Sequence, residues 1–219
     1  MRQEVIDVVY QSKIVAIVRG FDPEVCVKLA EAYAKGGIRL VEVTFPQAKP
    51  EDWTKTTTAI KTISERLAGK IIVGAGTVLT LEQLHMAKEA GARYIVTPSV
   101  NVNVIKEAKA LGLVTMPGAL TPTEAVTAYE AGADFVKIFP AGAMGPKYLK
   151  DVRAPLSHIP FLAVGGIGAD NVADFMKAGA VGVGVGGMLT DRKLIEAGAW
   201  DQIADYARTL YANAHSFQP

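Results

Sequence analysis

The chain has 219 residues, and its 23 basic and 22 acidic side chains give a formal net charge of +1. Because the two charge signs are interspersed, no long-range field is available to hold nucleic acid or a membrane surface. No stretch approaches the roughly twenty apolar residues of a membrane span. Cys26 is the single cysteine, predicted as a buried core residue, so a reducing, cytoplasmic compartment is expected.

Eight short β-branched runs follow one another along the chain, each ending in turn residues and then a helical pattern. In order they are KIVAIVR, LVEVTF, KIIVGAG, RYIVTP, LVTMPG, DFVKIFP, FLAVGG and VGVGVGG. The stretches between them have apolar residues at three-to-four spacing and close on a glycine, which suits a helix end. Residues 2–11 are predicted as a helix closing the bottom of the fold, and residues 199–214 as a final packing helix.

Repeated strand–helix units require parallel strands, and eight of them close naturally into a (β/α)₈ TIM barrel. The main alternative is a doubly wound open sheet. It is disfavoured because no G-x-G-x-x-G follows the first strand, whereas glycine-rich loops follow the seventh and eighth. We therefore expect residues 1–219 to form a single α/β barrel domain with an N-terminal helix.

Three charged residues are predicted to point into the barrel. Side chains alternate across a strand, and the apolar face must meet the helices. Val136 and Ile138 then face outward and Lys137 inward. The same test turns Glu42 inward on the second strand and Arg19 inward at the end of the first. Catalytic residues of barrels come from these strand ends, although a buried ion network that merely fills polar space is the alternative.

This set of groups suits carbon–carbon bond cleavage. Desolvation and a nearby arginine lower the pKa of a lysine such as Lys137, and a neutral amine attacks a ketone to form an iminium electron sink. Glu42 is placed to move protons, and Arg19 to grip a 2-keto acid carboxylate. No His and carboxylate cluster has metal-ligand spacing, so neither metal nor cofactor is predicted.

The glycine loops predict an anion site. Gly165 and Gly166 follow the seventh strand, and Gly186 and Gly187 follow the eighth. Unobstructed backbone N–H groups near the start of a helix favour phosphate binding. The alternative is that these glycines only permit tight turns and close packing. Thr77, after the third strand, can hydrogen-bond a carboxylate or water; the alternatives are an ordinary helix cap or a strand-end turn.

Taken together, KIVAIVRG, VEVTF, GAGTVLT, IVTPS, MPGALTPTEA, FVKIFPAGAMGPKYLK and AVGGI stand in the order found in a known family. The chain resembles the 2-keto-3-deoxy-6-phosphogluconate/4-hydroxy-2-oxoglutarate aldolases, including their phosphogalactonate-specific branch. The resemblance implies a class I aldolase of Entner–Doudoroff-type carbohydrate metabolism, usually a homotrimer. Its expected partner is a small keto acid or phosphorylated sugar acid, split into pyruvate and an aldehyde such as glyceraldehyde 3-phosphate.

The resemblance also implies residue roles. Lys137 would be the Schiff-base lysine and Glu42 the general acid/base. Four residues would form the pyruvate pocket, with Arg19 and Thr77 at the carboxylate and Pro98 and Phe139 along the walls. The two glycine loops would hold the phosphate.

Three positions depart from the common family pattern. Val164 precedes the Gly-Gly pair where many members have Thr, as in the phosphogalactonate-specific branch. Gly187 stands where many have Ser, and the segment 45–47 reads Phe-Pro-Gln where some have Arg.

The residues alone leave two other functions open. One is a phosphate-binding barrel isomerase or synthase in which Lys137 acts only as a charge, and the other is a non-catalytic anion-binding barrel.

Overall fold

The computed structural model describes residues 2–216. Within them, parallel strands form a nearly closed barrel surrounded by helices. The expected domain spans residues 1–219, and Met1 and residues 217–219 lie outside the described part. No helix among the described residues is long and apolar enough to cross a membrane.

The strands pair in the order β5-β4-β3-β2-β1-β9-β8-β7-β6. Their bounds are β1 (Ile14–Val18), β2 (Leu40–Thr44), β3 (Ile72–Gly76), β4 (Tyr94–Val96), β5 (Val114–Met116), β6 (Gly118–Ala119), β7 (Val136–Ile138), β8 (Phe161–Val164) and β9 (Gly182–Val185). Only Pro117 separates β5 from β6. Proline cannot donate a ladder hydrogen bond, so the predicted fifth strand is broken there. Its first half pairs with β4 and its second half with β7, which closes the ring.

The helices cover the outside and the bottom of the barrel. Their bounds are α1 (Arg2–Ser12), α2 (Pro23–Lys35), α3 (Trp53–Arg66), α4 (Leu81–Glu89), α5 (Val102–Ala110), α6 (Pro122–Glu130), α7 (Ala141–Arg153), α8 (Val172–Lys177), α9 (Arg192–Glu196) and α10 (Trp200–His215), with 3₁₀ turns at Pro50–Asp52 and Gly187–Thr190. Local sequence sets several ends. Thr80 and Gln83 form a capping box at the start of α4. Gly91 ends the same helix with φ of 95°, a left-handed conformation that glycine adopts freely.

Two apolar layers build the core. The outer layer lies between the sheet and the helices and includes Val41, Val43 and the buried thiol of Cys26. The inner layer fills the barrel interior, where Leu40 of β2 packs with Val5 and other residues of α1. The predicted alternation of inward and outward residues is therefore confirmed for β2. The helices α1 and α10 match the two predicted terminal helices within one residue at each end.

Candidate active site

A cavity of about 350 Å³ opens at the carboxyl ends of the strands. All ten residues predicted for the site line it: Arg19, Glu42, Thr77, Pro98, Lys137, Phe139, Gly165, Gly166, Gly186 and Gly187. Five further residues complete the lining: Ile17, Val164, Ile167, Gly184 and Thr190. The fold thus brings the predicted residues to one place, while their individual roles remain predictions.

A larger groove of about 640 Å³ lies at the opposite end of the barrel, between the ends of α2 and α3. Its charged residues, Glu31, Lys35, Arg39 and Lys70, stand on the outer surface around an apolar floor. They do not include an enclosed lysine beside an enclosed carboxyl. The smaller cavity is therefore the better candidate for the active site, because of the residues that line it rather than its volume.

Lys137 projects from β7 into the interior and is 6% exposed. Its Nζ lies 4.9 Å from the centroid of the Phe139 ring, within cation–π range. Burial lowers the pKa of Lys137, the Glu42 carboxylate raises it, and the Arg19 guanidinium lowers it. The net direction is downward, which favours the neutral, nucleophilic amine.

Glu42 projects from β2 and is 3% exposed. Its Oε1 would lie 2.8 Å from a Cβ at Gly76, so the absence of a side chain on β3 makes room for the carboxyl group. Burial raises the pKa of Glu42, while Lys137 and Arg19 oppose that rise. Two enclosed groups with pKa values shifted in opposite directions are suited to acid–base work.

Arg19 and Thr77 lie at the rim of the cavity, just beyond the ends of β1 and β3. Thr77 has φ of 57°, a left-handed conformation that is uncommon outside glycine and concentrates at functional sites. Thr80 rather than Thr77 caps α4, so the reading of Thr77 as an ordinary helix cap is wrong.

Pro98 and Phe139 contribute the walls. Gly118 passes close to Pro98, because a Cβ at Gly118 would lie 2.5 Å from the Pro98 carbonyl oxygen. The Phe139 ring is 37% exposed at the mouth, and a Cβ at Gly165 would lie 3.1 Å from it. Both glycines therefore permit the close approach that forms the pocket.

The glycine loops supply free donors. Gly165 and Gly166 have φ of 90° and 73°, and Gly187 has φ of 43°. The backbone N–H groups of Gly166 and Gly187 form no hydrogen bond with another described residue. The helix after the first loop begins at Val172 and has only six residues. Any anion here would therefore depend on the loop amides more than on the helix.

Thr190 was missed by the sequence analysis. Its hydroxyl donates to the carbonyl oxygen of Gly187 at 3.2 Å, and the residue lines the cavity. It belongs to a 3₁₀ turn that brings it back towards the strand ends. The strand pattern carries no signal for such a turn.

The three histidines lie outside the cavity lining. His85 of α4 stands 3.5 Å from a carboxylate oxygen of Glu107, and His215 at the end of α10 is hydrogen-bonded to the carbonyl oxygens of Tyr211 and Gln11. Among residues 2–216, no three His, Cys, Asp or Glu side chains are grouped as a metal site. Burial raises the pKa of Cys26 to about 12, so its thiol is a packing group.

An enclosed lysine and an enclosed carboxyl at the carboxyl ends of barrel strands are the groups that a carbon–carbon lyase acting through a Schiff base requires. Comparison with known proteins assigns the family. Residues 5–206 match the model of the family described as "Aldolase: KDPG and KHG aldolase", and the chain belongs to that family. In these names KDPG is 2-keto-3-deoxy-6-phosphogluconate and KHG is 4-hydroxy-2-oxoglutarate.

Individual relatives agree with this assignment. The 2-dehydro-3-deoxy-6-phosphogalactonate aldolase of Escherichia coli K12 is 39% identical over 180 residues, covering 81% of this chain and 85% of that protein. A solved structure described as native KDPGal has a TM-score of 0.82 at 34% identity, covering 93% and 94% of the two chains. The KDPG aldolase of Legionella pneumophila, solved with pyruvate captured as a covalent carbinolamine, has a TM-score of 0.83 at 24% identity, covering 94% and 97%. The last comparison shows the shared fold.

Proposed function

We propose that this protein is a class I aldolase that cleaves a 2-keto-3-deoxy-6-phospho sugar acid to pyruvate and glyceraldehyde 3-phosphate through a Schiff base on Lys137. The observation that carries the proposal is the enclosure of Lys137 and Glu42 in one cavity with oppositely shifted pKa values. We propose the galactonate epimer as the preferred substrate. Val164 in the lining and the identity to the E. coli galactonate enzyme support that choice.

The first stage forms the iminium. The neutral Lys137 amine attacks the C2 carbonyl carbon, a C–N bond forms, and the carbonyl electrons pass to oxygen. The resulting carbinolamine loses water, with one proton coming from the amine nitrogen and one from the protonated Glu42. Glu42 is then a carboxylate, ready to act as a base.

The second stage breaks the carbon–carbon bond. Glu42 removes the proton of the C4 hydroxyl, the C3–C4 bond breaks, and its electron pair passes into the iminium to give an enamine. Glyceraldehyde 3-phosphate leaves. The enamine carbon takes the proton back from Glu42, and water hydrolyses the iminium to release pyruvate and the free Lys137 amine, returning a proton to Glu42.

The two ends of the substrate would be held differently. Arg19 provides a planar fork for the carboxylate beside the reacting carbon. The loops at Gly166 and Gly187 provide backbone N–H donors for the phosphate at the far end. Thr190 adds a hydroxyl near the second loop, where Gly187 lacks one.

The proposal extends to assembly and location. The family resemblance supports a homotrimer, and light scattering should then give three times the chain mass of 23.2 kDa. A monomer mass would contradict it. The single buried cysteine supports the reducing environment of the cytoplasm.

The decisive experiment is reductive trapping. The protein is incubated with pyruvate and sodium borohydride, and peptides are mapped by mass spectrometry. We expect an adduct on the Lys137 peptide in the wild type and in Lys147→Ala, which removes an exposed lysine of α7, but none in Lys137→Ala. Absence of the adduct in folded wild-type protein would overturn the proposal and favour a barrel isomerase without Schiff-base chemistry.

A further inference from the structure

The backbone of Thr77 is held in a conformation that its side chain disfavours. Among the described residues other than glycine, only Lys13 and Thr77 have positive φ. Strained backbone of this kind persists only where surrounding contacts fix it. Thr77 lines the active-site cavity, whereas Lys13 lies between α1 and β1.

The side chain of Gln47 provides such a contact to Thr77. Its Nε2 donates to the carbonyl oxygen of Thr77 at 2.7 Å, and the same nitrogen reaches the carbonyl oxygen of Phe45 at 3.4 Å. Its Oε1 accepts from Nε2 of Gln83 at 3.1 Å. Both ends of the Gln47 amide are used, so its orientation is fixed.

Gln83 connects this contact to a rigid element. Its side chain is fully buried, and its Oε1 accepts from the backbone N–H groups of Leu79 at 2.7 Å and Thr80 at 3.3 Å. It belongs to the capping box of α4. Each amide oxygen and nitrogen of Gln47 and Gln83 has a hydrogen-bond partner, so each bond restricts the orientation of the next. The chain runs from α4 through Gln83 and Gln47 to Thr77.

Gln47 is not among the residues that line the cavity. Because Gln47 holds the Thr77 carbonyl oxygen on its own side, the negative end of that peptide dipole is kept from turning towards the cavity. A carbonyl oxygen facing the substrate carboxylate would repel it. Gln47 therefore affects the cavity through Thr77.

We propose that Gln47 is a positioning residue for keto-acid binding, acting by fixing the backbone of Thr77 beside the carboxylate of pyruvate. The inference rests on the proposed function, in which Thr77 lies at that carboxylate. Gln47 stands in the segment where some family members have arginine. In this chain the segment instead contains Gln47, whose side-chain amide is hydrogen-bonded to the loop at Thr77.

The test measures the pyruvate concentration that half-saturates borohydride trapping, together with the trapping rate at saturation. Gln47→Met removes all three side-chain hydrogen bonds of Gln47 with little change in size. Gln47→Glu can still accept from Gln83 but cannot donate to Thr77. We expect both variants to raise the half-saturating concentration about tenfold, the effect of losing one well-placed polar contact. The limiting rate should change less than about twofold, because Lys137 and Glu42 are untouched.

A second variant separates positioning from general loosening. Glycine adopts positive φ freely, so Thr77→Gly removes both the strained residue and its side chain. In that background Gln47→Met should change the half-saturating concentration less than about twofold. An equal tenfold change in both backgrounds would overturn the inference.

Hydrogen exchange gives a check that does not depend on binding. The peptide covering residues 77–80 should exchange faster in Gln47→Met than in the wild type, and unchanged exchange there would also overturn the inference. If Gln47→Met binds pyruvate as the wild type does, the inference fails and the aldolase proposal stands. If the wild type is not trapped at all, the proposed function itself fails.

Discussion

Glu42 and Lys137 stand on opposite strands of the barrel, β2 and β7, four strand positions apart in either direction round the ring when the broken strand β5–β6 is counted as one. They meet at the same cavity, yet among the described residues no ion pair joins them at contact distance. Each shifts the pKa of the other towards the charged form, and burial works against both. A pair in this balance can change its protonation during a reaction without breaking a salt bridge.

Arg19 and Glu42 should move the pKa of Lys137 in opposite directions. Arg19 lowers it, so Arg19→Gln should raise the pKa, and the amine will become reactive only at higher pH. Glu42 raises it, so Glu42→Gln should lower the pKa and make the amine reactive at lower pH. Competitive acetylation of Lys137 across a pH series, read by mass spectrometry, measures this without substrate. Shifts of the same sign in both variants would contradict the electrostatic account.

A side chain at Gly166 should weaken binding at the phosphate end alone. The φ of 73° disfavours alanine, whose Cβ would also lie 3.2 Å from the Cα of Gly142. Gly166→Ala should raise KM for the phosphorylated substrate about tenfold and leave half-saturation by pyruvate unchanged. Gly69→Ala is the matched control, because Gly69 has φ of 79° in open space away from the active-site cavity. Equal KM changes in the two variants would show that backbone strain, not the loop, is responsible.

Val164 should govern the choice between epimers. It lines the cavity beside the Gly165 loop, and its apolar side chain offers no partner to a substrate hydroxyl. Val164→Thr adds a hydroxyl with little change in side-chain volume, and that hydroxyl can hydrogen-bond the C4 hydroxyl of the epimer in which it points towards residue 164. We expect the ratio of kcat/KM for the galactonate over the gluconate substrate to fall about tenfold. An unchanged ratio would remove Val164 from the specificity account.

The hydroxyl of Tyr94 should destabilise the fold. The residue is fully buried, its ring lies over Gly74, and the hydroxyl has no hydrogen-bond partner among the described residues. Tyr94→Phe should therefore raise the free energy of unfolding by about 1 kcal/mol. Tyr33→Phe should lower it by about 1 kcal/mol, because that buried hydroxyl donates to the Leu189 carbonyl oxygen at 2.7 Å. Denaturant unfolding of the two variants checks the opposite signs.

The sequence predicts the fold and the central site residues because these depend on short-range patterns. A period of two places Lys137 and Glu42 on the inner face, and closure of the barrel then brings all strand ends to one side. Closing glycines mark the helix ends for the same reason. The resemblance adds the roles but does not alter the placement.

Features that depend on distant contacts could not be predicted. Gln47 lies 30 positions from Thr77 and 36 from Gln83, and no local pattern relates them. Thr190 reaches the cavity only because a 3₁₀ turn bends back after β9. The break at Pro117 is hidden because the run LVTMPG reads as one strand until its two different neighbours are known.

The strand break at Pro117 also divides the cavity-lining residues into two groups along the chain. Residues 2–116 contain Arg19, Glu42, Thr77 and Pro98, and residues 118–216 contain Lys137, Phe139 and both glycine loops. The first half-barrel thus contains the proposed general acid/base and the proposed carboxylate-binding residues. The second contains the proposed nucleophile and the proposed phosphate-binding loops. Since neither half has a complete set, the proposed catalytic centre lies between the two halves of a single chain. A polypeptide cleaved at Pro117 would regain activity only as fast as its two fragments reassociate.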